Sequence, residues 1–155
     1  MKNADWYLSK YGESHRHPTN VIIHKIFVPL IMFSVIGLLW AIPRPDFFPQ
    51  NTLCNFGMAL VIVSLIFYLS MGLKIFFGMA IVTSIIVYGN ILVENHPYQI
   101  HLMSTIFVFS WVMQFIGHKI EGKKPSFFED LLFLLVGPVW VFYPIYKKLG
   151  PVKKD

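Results

Sequence analysis

The sequence has a single cysteine, Cys54. An intrachain disulfide is therefore impossible, and a cysteine-built metal site is excluded. Acidic residues number 8, and all charged residues together make up 14% of the 155. So little charge cannot cover a soluble domain that is 55% hydrophobic; the excess apolar surface would aggregate unless lipid covered it. The first twenty residues lack a short apolar core followed by small residues, so no cleavable signal is expected. No internal repeat or low-complexity linker divides the chain, and residues 1–155 are expected to form a single membrane domain. The net charge of +5 flanks apolar segments instead of forming a basic face, which argues against a nucleic-acid partner and for membrane topology.

What is present is a series of apolar runs. A spanning helix needs about 20 mostly apolar residues. Candidates are Ile26 to Ile42 (with a possible start at Val21), Leu53 to Met71, Ile75 to Val93, and His101 or Leu102 to Gly117. The short "SMGLK" makes the second and third an antiparallel hairpin. A fifth stretch, "LLFLLVGPVWVFYPIY", is broken by Gly137-Pro138 and Pro144, and a Ser126–Glu129 capping box marks its start. The expected fold is all-α: an integral membrane bundle of four transmembrane helices plus a bent re-entrant or interfacial C-terminal helical segment. With the N-terminus cytoplasmic, every basic residue except Arg44 then falls on the inner side, as the positive-inside rule requires. That membrane is the bacterial inner membrane or the endoplasmic reticulum, according to source. Trp6, Tyr7 and Tyr11 beside Lys10 suit a headgroup layer.

This topology sorts the histidines. His15, His17, His24 and His118 fall at the cytoplasmic edge, and His96 and His101 at the opposite one. In "YGESHRHPTNVIIHKIFVP", Pro18 suits the first turn of a helix. Asn20 and His24 lie one turn apart on one face, and His15 can fold back toward His24. Pro29 removes the N–H that would bond the Lys25 carbonyl, which predicts a kink. His17 has no partner in register. In "QFIGHKIEGKKPS", Gln114, His118 and Glu121 share one stripe, and Gly117 admits a close neighbouring helix.

Imidazoles at membrane depth are costly and point to function. With a nearby carboxylate they suit zinc, iron, copper or nickel. A ligating histidine also needs its second nitrogen hydrogen-bonded; Asn20, Gln114 and Glu121 are the candidates for that role. Arg16, Lys25 and the lysines around His118, Lys119 among them, hold topology and contact anionic lipid.

The two quoted stretches resemble the patterns Tyr-x3-His-x2-Pro-x-Asn-x3-His-x4-Pro and Gln-Phe-x-Gly-His followed by Glu. Together they resemble the small membrane family of 2-hydroxy fatty acid dioxygenases known from fungal phytosphingosine breakdown. The resemblance implies an iron(II)-dependent dioxygenase that uses O2 to shorten 2-hydroxy fatty acids by one carbon. It carries over His15, His24 and His118 as metal ligands, with Asn20 and Glu121 as the polar residues of the catalytic site. His17 and His101 fall outside the pattern. The chain departs from the fungal form in two places: Glu121 follows His118 by three residues instead of four, which keeps both on one helical face, and Ser126 stands where Ala is usual.

Other classes compete. A small metal or proton transporter, or a lipid-binding scaffold, would also be a helical membrane protein. No expected span has a charged residue near its middle, however, and a through-path usually needs polar groups there. A membrane zinc hydrolase would use the same histidines without O2.

Overall fold

The computed structural model describes residues 4–47, 49, 51–125 and 132–148, with 146–148 described by backbone only. Regular structure among them is entirely helical: α1 Ala4–Gly12, α2 Pro18–Trp40, α3 Phe56–Ser70, α4 Leu73–Val93, α5 Gln99–Glu121 and α6 Phe133–Lys148. The Ser126–Glu129 capping box lies outside the described residues.

Three helices, α2, α4 and α5, are long and apolar enough to cross a bilayer. Their 23, 21 and 23 residues match the need for about 20 at a rise of about 1.5 Å each. α3 has 15 residues and α6 has 16. The second expected span is shortened at its start because Asn55 accepts the Met58 N–H at 2.9 Å. That cap fixes the first turn at Phe56. Side chains such as Ile66, Phe77, Ile85, Leu92 and Val108 are more than half exposed, a surface suited to lipid and not to water.

α2 is the central helix. It packs most extensively on α5 and also meets α3, α4 and α6. Small residues permit this closeness, as is usual between helices in lipid. A Cβ on Gly117 of α5 would collide with Asn20 Oδ1 of α2, and one on Gly37 of α2 would lie 2.6 Å from Met103 Sδ of α5. α2 continues through Pro29 to Trp40 as one helix.

α3 and α4 turn back on each other at Met71 and Gly72. Gly72 has φ of +117°, a backbone state that a side chain would strain. Two apolar clusters sit at opposite ends of the bundle. One joins Tyr7, Leu8 and Tyr11 of α1 to Tyr68, Ile75 and Met79 near the α3–α4 turn, and to Phe133, Val136 and Val139 of α6. The other joins Ile36 and Trp40 of α2 to Val61 and Ile86. Tyr7 and Tyr11 were expected in a headgroup layer. Both are buried instead, because α6 lies against α1 and Phe133 packs on both rings.

Candidate metal centre

The end of α1 delivers the first histidine. Glu13, Ser14 and His15 continue past Gly12 as tight turns, with the Ser14 N–H donating to the Tyr11 carbonyl at 3.3 Å and the His15 N–H to Gly12 at 3.2 Å. This folds His15 back onto α1, where its ring stacks on Tyr11 at 4.0 Å between centroids and 7° between planes. His17 then caps α2: its Nδ1 accepts the Thr19 N–H at 3.2 Å, and Pro18 takes the first helical position. His24 follows one turn after Asn20 and faces the bundle interior. His118 comes from α5, brought close by Gly117.

These steps bring His15, His24 and His118 together from three segments. Ring centroids lie 4.2 Å apart for His15–His24, 5.0 Å for His15–His118 and 4.9 Å for His24–His118. One ring nitrogen from each lies within 4.8 Å of the others. None is more than 5% exposed.

Hydrogen bonds fix two of the tautomers. His15 Nδ1 donates to the Tyr11 carbonyl at 2.6 Å. His24 Nδ1 donates to the Asn20 carbonyl at 3.0 Å. A carbonyl only accepts, so both Nδ1 atoms carry the proton and both Nε2 atoms keep a lone pair. His15 Nε2 and His118 Nδ1 are buried without any partner, although buried polar atoms are nearly always satisfied. Burial pushes His15 down to about 4, so it is neutral at neutral pH, as a metal ligand must be. Three buried imidazoles, two with an unpartnered nitrogen and two held by carbonyls, fit a transition-metal ion.

Asn20 and Glu121 stand behind the histidines. Glu121 Oε1 accepts the Arg16 N–H at 2.9 Å, and Oε2 accepts the His17 N–H at 2.7 Å. Asn20 Nδ2 donates to Glu121 Oε2 at 3.2 Å and to the Ser14 carbonyl at 3.1 Å. The carboxylate thus sits on the two N–H groups just ahead of α2, those of Arg16 and of the cap His17, near the end of the helix where its dipole favours negative charge. It also ties the helix of His118 to the loop of His15.

Gln114 holds a different place. Its Nε2 is buried and unpartnered, so it does not orient a histidine. It lines a small cavity with Tyr11, His24, His118, Phe133 and Pro138. The cavity holds about 70 Å³, well below the roughly 300–1,000 Å³ of pockets that enclose whole drug-sized ligands.

The remaining histidines stay apart. His17 is an exposed cap, and His96 and His101 lie on or just after the α4–α5 connection, outside the cluster. Arg16, Lys25 and Lys119 are exposed and do not line the cavity. Two residues beside the cluster were given no role in the site from the sequence. Tyr11 backs His15, for which its position four residues earlier was a signal. Trp140 of α6 lies 5.1 Å from His15, for which no sequence signal existed.

A family profile described as "2-hydroxy-palmitic acid dioxygenase Mpo1-like" matches residues 1–149. The chain is 26% identical over 147 residues to the 2-hydroxy-palmitic acid dioxygenase MPO1 of Saccharomyces cerevisiae, covering 92% of this chain and 79% of the yeast protein. No solved structure gives a significant match.

Proposed function

We propose, from the premise that this chain belongs to the Mpo1-like family, that it is an iron(II)-dependent dioxygenase of 2-hydroxy fatty acids. The observation that carries the reading is the convergence of His15, His24 and His118 within 4.8 Å, beside a cavity sized for a polar head. These three would hold the iron. Iron(II) supplies the redox chemistry by which O2 oxidises the substrate. The products are an acid one carbon shorter, carbon dioxide from the carboxyl carbon, and one water.

The chain's own residues prepare the site. The Tyr11 and Asn20 carbonyls aim two ligands. Glu121 and the Asn20 side chain hold the His15 loop against α5, so they act as positioning groups. The free amide N–H of Gln114 offers a hydrogen bond to a carboxylate or hydroxyl oxygen of the substrate. Apolar neighbours such as Val28, Ile31 and Phe133 limit water access.

Topology belongs to the same proposal. Four spans are proposed, with α3 as the short one and α6 as a re-entrant or interfacial segment beside α1. The N-terminus and the metal site lie on the cytoplasmic side, supported by the side preference of the basic residues. Residues 1–155 form one membrane domain in this reading, and the acyl tail of the substrate lies among the helices and lipid.

The test uses protein purified in detergent and loaded with iron(II) without oxygen. 2-Hydroxypalmitic acid and O2 are added and products identified by mass spectrometry. Pentadecanoic acid that forms only with both iron and O2 is the expected result. Turnover undiminished by iron removal would overturn the proposal.

A further inference from the structure

A second cavity opens at the far end of the bundle. It lies where α2 ends, α4 ends and α5 begins, and is lined by Trp40, Arg44, Glu94, His96, Gln99 and Ile100 among others. Sixteen residues of α2 separate Trp40 from His24, roughly 24 Å at about 1.5 Å per residue. At about 360 Å³ it lies within the roughly 300–1,000 Å³ of ligand pockets. Nothing in the dioxygenase reading uses it.

Its polar groups are incomplete in a specific way. Trp40 Nε1 and Gln99 Nε2 are buried donors with no partner, in residues only 6% and 8% exposed. Unmet donors call for an oxygen acceptor. His96 adds a third donor: its Nδ1 accepts the Tyr98 N–H at 3.3 Å, so its proton lies on Nε2. Arg44 spends one guanidinium nitrogen on the Asn51 and Cys54 carbonyls, which holds the side chain in place and leaves other N–H groups over.

The charges are also unspent. Arg44 and Glu94 line the same cavity, yet no ion pair joins the two. A cation and an anion that face one space without meeting match a ligand carrying both signs. Ile42 and Ile100 are exposed apolar residues at the rim, where acyl chains would leave. The cavity also lies at a helix-end level, where lipid headgroups sit.

We infer that this cavity binds a phosphodiester paired with a primary ammonium, the headgroup of a phosphatidylethanolamine-type lipid. The phosphate takes the donors of Arg44 and His96, and meets Trp40 Nε1 and Gln99 Nε2, which are covered, only as those side chains turn toward it. The ammonium takes the Glu94 carboxylate. This assignment is independent of the dioxygenase reading.

The test is isothermal titration calorimetry on the full chain in detergent. The probes are dihexanoyl phosphatidylethanolamine, dihexanoyl phosphatidylglycerol and O-phosphoethanolamine. The expected result is tightest binding of the first, weakened at least tenfold by Glu94→Gln. That variant removes no hydrogen bond found among the described residues, so its folding is not at issue. Arg44→Gln should weaken both lipids, and a thermal melt would show whether its loop survives. Equal affinity for the two lipids, unchanged in Glu94→Gln, would overturn the ammonium assignment. O-phosphoethanolamine binding as tightly as the lipid would overturn the lipid as source in favour of a soluble phosphate. No binding of any probe would overturn the site.

Discussion

Glu121 accepts the backbone N–H of His17 at 2.7 Å, so the last residue of α5 closes onto the cap of α2. One turn earlier on α5 stands His118, which completes the histidine cluster. The contact is a clasp between the two helices that hold His24 and His118, and it also fixes the loop that holds His15.

Removing the clasp should loosen the site without removing a ligand. Glu121→Ala deletes charge-assisted hydrogen bonds to two backbone amides and to Asn20. For a partly exposed group the expected cost is about 1–3 kcal/mol. Metal affinity should fall about 10- to 100-fold, as for other groups that orient ligands. Iron content after dialysis and a thermal melt check this. Undiminished iron retention would show that Glu121 does not organise the centre.

The histidines should divide cleanly in a metal assay. His15→Ala, His24→Ala and His118→Ala are each expected to lose bound iron. His96→Ala and His101→Ala are expected to keep it. Elemental analysis of the purified variants decides the matter, and a His24→Ala protein with full iron would remove His24 from the centre.

Acid should unfold the metal-free protein through His15. Burial holds its folded value at about 4 against an ordinary 6.5, so the unfolded chain takes up the proton first. The stability it contributes is full above about pH 6.5. It is lost as the pH falls from there toward 4. His15→Gln should therefore flatten the Tm-against-pH curve in that interval. Parallel curves for the two proteins would refute the assignment.

Gly117→Ala tests the approach of α2 to α5. The added methyl would strike Asn20 Oδ1, and the helices must separate or Asn20 must turn away. Overpacking of this kind costs about 1–3 kcal/mol. Here it should also weaken iron retention, because Asn20 carries the carbonyl that aims His24. A stable variant with normal iron content would show that the contact is slack.

Much of the site was legible because its geometry is local. The one-turn spacing of Asn20 and His24 and the stripe of His118 and Glu121 follow from helical periodicity alone. Separation of His96 and His101 from the other four followed from counting apolar runs. What the Glu121 carboxylate touches was not legible. Its partners are backbone N–H groups of residues 16 and 17, and an N–H looks the same at every position in a sequence. The burial of Tyr7 and Tyr11 was missed for a related reason. An amphipathic aromatic suits either a headgroup layer or a protein contact, and only α6 lying against α1 selects between them. His17 was set apart from the site by its lack of a partner in register, but its role as a cap was not legible, because it rests on the backbone N–H of Thr19.

The narrowness of the cavity beside His24 and His118 has a consequence for selectivity. On the proposed dioxygenase reading, a space of about 70 Å³ would examine the first carbons of an acid and little more. Recognition is then confined to the head, while the length of the tail enters through how strongly the molecule partitions into the bilayer. Short and long 2-hydroxy acids present at equal density in the membrane would look alike to such a site, and the lipid phase would do the sorting.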